Sequence, residues 1–224
     1  MSEKTEKETA SAKLNSFLEK NRKPVLLTFM VGLVLVIGFI TAAIIASTSS
    51  KKSLAVVEAY YYELTDSSTS LEDAEITKRA TECVEKLAPY TKKGGIAGVR
   101  ANMLSAELSY LLKDYSSAVT YYDAAIAKGK KSYTAPVCMF NKAACYEELG
   151  KLSEAAEAYK AAAEFEEFGM VSHAYFSLGR VREALGDYAG AAEAYTTLKD
   201  KSDDDWSDLA KTRLIELKSQ GKIN

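Results

Sequence analysis

Three kinds of residue in this chain of 224 could carry chemistry: the single histidine His173, the cysteines Cys83, Cys138 and Cys145, and the aspartate run Asp203, Asp204 and Asp205. A nucleophile needs a base within hydrogen-bond reach, and a zinc site needs several ligands at short paired spacings. His173 has no Cys, Ser or Asp set around it as a triad and no second metal ligand, so a structural or surface role is expected. Three consecutive carboxylates lack the alternating spacing of a calcium loop and read instead as a solvated helix start. The stretch KKGGIAG at 92–98 lacks both the spacing and the preceding strand of a phosphate loop. The expectation is no enzyme, no cofactor, no metal and no small-molecule substrate.

The cysteines are too few and too irregular for a disulfide framework or a zinc site. Cys138 and Cys145 lie seven residues apart on one expected helix, about 10.5 Å along its axis and too far to bridge. Small core hydrophobes are the expected role for all three, with a bridge from Cys83 to one of the others left open.

The elements that position these residues are repeats. AELSYLLKDYSSAVTYYDAAIA from Ala106, AACYEELGKLSEAAEAYKAAAE from Ala143 and GRVREALGDYAGAAEAYTTLKD from Gly179 align without gaps at offsets of 37 and 36 residues. Five columns recur: Ala106, Ala143, Gly179; Leu112, Leu149, Leu185; Tyr115, Leu152, Tyr188; Ala118, Ala155, Ala191; and Tyr122, Tyr159, Tyr195. Small residues mark where two antiparallel helices cross closely, and large ones fill the space on either side. Gly150 and Gly186 are placed to end one helix and turn into the next. Such a pair cannot bury its apolar face alone, so neighbours must stack.

The pattern resembles the tetratricopeptide repeat. The prolines that family carries after its second helix are missing here, and the extra residues fall between repeats as GKKSYTAP and EEFGMV. Residues 99–200 then hold three repeats. Residues 53–98 read as a degenerate helical pair, LAVVEAYYYEL, a polar break TDSSTSLED, and AEITKRATECVEKLAPY ended by Pro89, Gly94 and Gly95. Residues 203–220 read as a capping helix with Trp206, Leu209, Leu214 and Leu217 as its apolar set. The resemblance implies a groove lined by the first helix of each repeat, read from positions 2, 5 and 12. Those positions give Arg100, Met103 and Tyr110, then Val137, Phe140 and Glu147, then His173, Phe176 and Glu183, with Arg180 alongside. Met103, Phe140 and Phe176 either floor the groove or pack on the following helix; the charges would meet a peptide's termini and side chains.

Ahead of the repeats, Val25 to Ala46 are 22 residues without a charge, roughly 33 Å of helix, the thickness of a bilayer's hydrocarbon core. Fourteen are Leu, Ile, Val or Phe, favouring insertion by about 4 to 8 kcal/mol. The run is too long for a cleaved signal peptide and too uniformly apolar for a buried soluble helix. An uncleaved anchor is expected, with residues 1–23 a cytoplasmic tail and 24–47 the transmembrane helix. Lys13, Lys20, Arg22 and Lys23 outnumber Lys51 and Lys52 across it, which keeps the amino terminus inside and the repeats outside. Gly38, Ala42 and Ala46 form a small-residue stripe suited to another membrane helix. LNSFLEKNRK is expected to form a short interfacial helix with Leu14, Phe17 and Leu18 down. The tail carries +2 and residues 47–224 carry −4, without the basic stripe of a nucleic-acid binder.

The expected architecture is therefore all-α, one amino-terminal transmembrane helix followed by a tetratricopeptide α-solenoid. That order, with the FLEKNRKPVLL lead into the anchor and the final LAKTRLIELK helix, resembles the YfgM-like ancillary subunits of the SecYEG translocon. The resemblance implies a single-pass bacterial inner-membrane protein whose periplasmic repeats bind proteins or peptides beside the translocon and a periplasmic chaperone. Two other readings stay open: a structural scaffold of a division, outer-membrane or motor complex, and a cytoplasm-facing adaptor of reversed topology. The reversed topology requires Cys83 to be modified only by reagents that enter the cytoplasm.

Overall fold

All described secondary structure is helical, and in residues 50–224 successive helices pack against one another. The computed structural model describes residues 12–66, 72–130, 132–165 and 167–224. The first eleven residues, most of the TDSSTSLED break and single residues of the GKKSYTAP and EEFGMV linkers lie outside them. The helices are α1 (12–20), α2 (Arg22–Thr65), α3 (Asp73–Thr91), α4 (Gly95–Leu111), α5 (Tyr115–Lys128), α6 (Thr134–Glu148), α7 (Leu152–Ala163), α8 (Val171–Ala184), α9 (Tyr188–Lys201) and α10 (Asp205–Ser219). The chain divides into two compact units, 1–49 and 50–224.

The first unit holds α1 and most of α2. Leu14, Phe17 and Leu18 are exposed along α1, and the side chains from Leu26 to Ile45 are exposed along α2. α2 is, by length and composition, the one described helix able to cross a membrane. Gly38, Ala42 and Ala46 lie exposed on it, and nothing approaches within 4 Å of a Cβ at Gly38. α2 does not stop at residue 47, and LAVVEAYYYEL is its continuation rather than a separate helix. The bridging segment STSSKK carries no glycine or proline to break it.

In the second unit each repeat closes its first helix by the same device. The residue after the cap takes a left-handed conformation at Lys113, Gly150 and Gly186, with φ of 60°, 69° and 77°. The next amide then donates back across the last turn, Asp114 to Ser109, Lys151 to Tyr146 and Asp187 to Arg182. This is the Schellman arrangement, and Gly221 with Lys222 repeats it after α10. Two of the following helices are capped by the aspartate that comes next: Asp114 accepts from the Ser117 amide and Asp187 from the Gly190 amide. Lys113 alone pays the steric penalty of a side chain at positive φ. Lys113→Gly should stabilise the protein by about 1 kcal/mol, read as a higher denaturant midpoint at unchanged slope.

The core follows the repeated columns. Ala106, Ala143, Ala118, Ala155, Ala191 and the three tyrosines Tyr122, Tyr159 and Tyr195 are buried. Leu185 departs from its column and is exposed, as is Leu209 on α10, while the expected Leu217 is buried with Ala210 and Ser207, and Trp206 and Leu214 pack against that cluster. α3 runs through Pro89 and ends at Thr91, between Pro89 and the Gly94–Gly95 pair expected to end it. A proline's φ is already helical, and Pro89 forfeits the one hydrogen bond its missing N–H would have made to the carbonyl four residues back. The buried amide of Asn102 on α4 then donates to the Thr91 carbonyl at 2.9 Å, tying α4 to the end of α3. Gly98 is obligatory at that corner, since a Cβ there would lie 1.9 Å from the Lys93 carbonyl oxygen.

Cys83, Cys138 and Cys145 are free thiols buried in the core. Burial pushes Cys138 up to about 12 and Cys145 to about 11, and raises Cys83 as well, so all three stay protonated near neutrality. Cys83 is 3% exposed, which makes it a poor reporter of topology.

Candidate protein-binding site

The face formed by the first helices, α4, α6, α8 and α10, collects most residues the sequence marks for binding. Its organising feature is a set of acid and arginine pairs that step from one first helix to the next. Glu147 on α6 accepts from Tyr159 of its own second helix at 2.7 Å and from Arg180 on α8 at 2.6 Å, both on Oε1. Glu183 on α8 repeats this with Tyr195 at 2.6 Å and with Arg213 on α10 through two guanidinium nitrogens. On α4, Arg100 grips Glu58 of α2 with two contacts, 2.6 and 3.2 Å. Planar guanidinium against carboxylate is the geometry that makes such pairs directional.

These pairs alter the roles expected of the charged residues. Arg100 is paired with Glu58, and Glu147 with Arg180, so they set the spacing of the helices as well as lining the face. At Glu183, burial pushes the carboxyl up, but the hydrogen bonds from Arg213 and Tyr195 and the Arg213 charge prevail and hold it below its usual range. Burial drives the Tyr159 and Tyr195 hydroxyls far above the usual phenol range, and their glutamates add to it.

The position-5 side chains divide. Met103 is buried beside Tyr122, part of the core rather than a groove floor. Phe140 and Phe176 are half-buried, each leaning on its second-helix tyrosine with ring centroids 5.2 Å (Tyr159) and 5.6 Å (Tyr195) apart. Their outer edges join a cluster that spans three first helices. His173 stacks flat on Trp206, centroids 4.0 Å apart and planes 10° off parallel, and also meets Phe140 at 4.8 Å. Trp206 meets Phe176 at 5.4 Å. Burial, then the Arg180 charge, lowers the His173 pKa, so its ring is neutral at pH 7.

Tyr110 is exposed at the α4 end of the face, its ring edge against Tyr115. Sequence reasoning missed Trp206, Glu58, Arg213 and Glu107 as members of this face. Only Trp206 carried a signal, as the single tryptophan in a helix otherwise read as a cap. The others depend on which helices become neighbours. Among the described residues no group of His, Cys, Asp and Glu could hold a metal ion.

Comparison with known proteins agrees with this geometry. Residues 114–169 and 146–205 match the family model for the tetratricopeptide repeat. The chain is 33% identical over 139 residues, 62% of its length, to a TPR repeat-containing protein of Treponema pallidum, and it spans 58% of that relative's length. Among solved structures, TPR-like repeats of a Podosopora anserina protein described as a kinesin light chain superpose with TM-score 0.54 at 13% identity, covering 77% of this chain and 87% of that one. The apo form of RapI superposes with TM-score 0.52 at 19% identity, covering 75% of this chain and 50% of RapI. At these identities the likeness is one of fold. The second unit is an all-helical tetratricopeptide-like stack.

Proposed function

We propose that this tetratricopeptide-repeat chain is a single-pass bacterial inner-membrane protein that uses its first-helix face to hold protein partners at the outer side of the membrane. The observation that carries the binding role is the half-buried aromatic cluster of Phe140, His173, Phe176 and Trp206. It gathers four rings from three helices on the face that tetratricopeptide proteins offer to partners, and aromatic anchors supply most of the affinity at such surfaces. The uncharged run of α2 supports the anchor, and its flanking lysines and arginines support an amino terminus in the cytoplasm. The FLEKNRKPVLL lead and the LAKTRLIELK end support the narrower reading, an ancillary translocon subunit serving emerging substrates with a periplasmic chaperone. Tethering would raise the effective concentration of a weak binding face for clients leaving the membrane.

The test places a photo-crosslinking amino acid at Leu209, exposed and three residues from Trp206, in the full chain in cells. Translocon subunits, a chaperone and many nascent envelope proteins are the expected captures, lost in the Trp206→Ala background. One or two fixed envelope components without clients would replace this reading with a structural scaffold. Topology is checked with Tyr133→Cys, a site 77% exposed; a membrane-impermeant maleimide should label it from the periplasm.

A further inference from the structure

Four neighbouring pairs of first helices can be formed from α2, α4, α6, α8 and α10, and three are bridged by an acid on one helix and an arginine on the next. The α4–α6 pair lacks this bridge among the described residues. The repeat position that supplies Glu147 and Glu183 is Tyr110 on α4, and the position that supplies Arg180 is Ala144 on α6. Among the described residues two carboxylates here have no ion-pair partner, Glu107 on α4 and Glu148 on α6; Tyr110 lies near Glu148, whose carboxylate is hydrogen-bonded by Tyr110 and Tyr115. Burial raises the Glu107 carboxyl; the Arg100 charge lowers it, but Arg100 is already committed to Glu58.

Beside Glu107 a cavity of about 270 Å³ opens between α2, α3 and α4, walled by Tyr61, Leu64, Ile76, Leu108 and Leu111. Its size is below the roughly 300 Å³ at which small-molecule sites begin, so it suits one apolar side chain of a larger partner. Leu111, at its edge, is more than half exposed.

We propose that this end of the face is the specificity subsite of the protein: it takes a partner segment in which an apolar side chain, seated in the α2–α3–α4 cavity, is flanked by lysine or arginine that meets Glu107, Glu148 and the Tyr110 ring. The partner supplies the cation that Ala144 does not. An acidic segment is excluded by repulsion from two carboxylates, and a purely apolar one leaves Glu107 uncompensated. The proposal rests on the reading of this face as protein-binding.

The test uses the full chain in nanodiscs of phosphatidylcholine and a short fluorescein-labelled peptide alternating leucine with lysine, compared with the same peptide carrying glutamate for lysine. The lysine peptide should bind and the glutamate peptide should not. Glu107→Gln and Leu111→Ser should each weaken binding about tenfold, with unchanged circular dichroism. Glu154→Gln, on the outer face of α7, is the matched control and should bind as the parent does. Equal binding by parent and Glu107→Gln, or by the two peptides, overturns the subsite. Saturation that tracks self-association in light scattering overturns it in favour of a second copy of the chain. Loss of cellular crosslinking in Trp206→Ala but not in Glu107→Gln would sink the subsite and leave the protein-binding face standing.

Discussion

Gly179→Ala should lower the unfolding free energy by about 2 kcal/mol, although alanine is what the other two repeats carry in the same column. A Cβ at Gly179 would lie 2.3 Å from Cε1 of Tyr195 and 2.6 Å from its Cζ. That ring is fully buried, packed by Phe176, and held at its hydroxyl by Glu183. It has nowhere to retreat without breaking one of these contacts. Overpacking of a rigid core costs up to about 3 kcal/mol, and the better helix propensity of alanine returns about 1. Denaturant melts of the full chain in detergent would show the midpoint falling at unchanged slope. A midpoint that rises, as helix propensity alone requires, would show that the ring does not lie over residue 179. Ala143→Gly serves as the contrast; it removes a fully buried methyl from a helix and should lose about 1 kcal/mol or more.

Glu183→Gln should cost about 2 kcal/mol at pH 7, with the loss shrinking in acid. Glu183 is the joint between α8, α9 and α10, since it accepts from Tyr195 and from Arg213 at once. Its side chain is 11% exposed while that of Arg213 is 41% exposed. Hydrogen bonds to charged groups contribute about 1.5 to 3 kcal/mol each, and solvent at Arg213 screens the pair toward the lower end. Because the folded-state pKa lies below the unfolded value near 4.5, the carboxylate contributes fully above that pH. The contribution fades as pH falls below it through the folded value. Parent and variant melts should therefore differ most at neutral pH and converge in acid. A gap that stays constant down to pH 3 would rule out the carboxylate as the source.

The two substitutions also show where sequence reading stops. The repeat columns are legible because each residue's role is local: an alanine at a helix crossing, a glycine at a left-handed cap, an aspartate at the next helix start. Lys113 breaks the glycine pattern at one cap without breaking the fold, because the backbone bonds across the turn outweigh the strain at one residue. Gly179 sits in the column that carries alanine in the other two repeats, yet a Cβ there would meet the Tyr195 ring, a close approach that only the folded structure reveals. Met103 looks like a groove residue by position and is core, buried in the cluster that also holds Tyr122 and Cys138.

The amino-acid sequence by itself determined the repeat period, the all-helical stack and the uncharged 22-residue run in α2, since periodicity and composition act on neighbours within a few residues. The resemblance to the tetratricopeptide repeat pointed to Phe140, His173, Phe176, Glu147 and Arg180 as groove residues. Only the tertiary structure decided that Trp206 stacks on His173, that Arg100 is taken by Glu58, and that the α4–α6 junction is the step without a bridge. Those facts depend on pairs 30 to 42 residues apart. Their meeting is set by the angle at which successive helix pairs pack, a quantity that the identity of no single residue encodes.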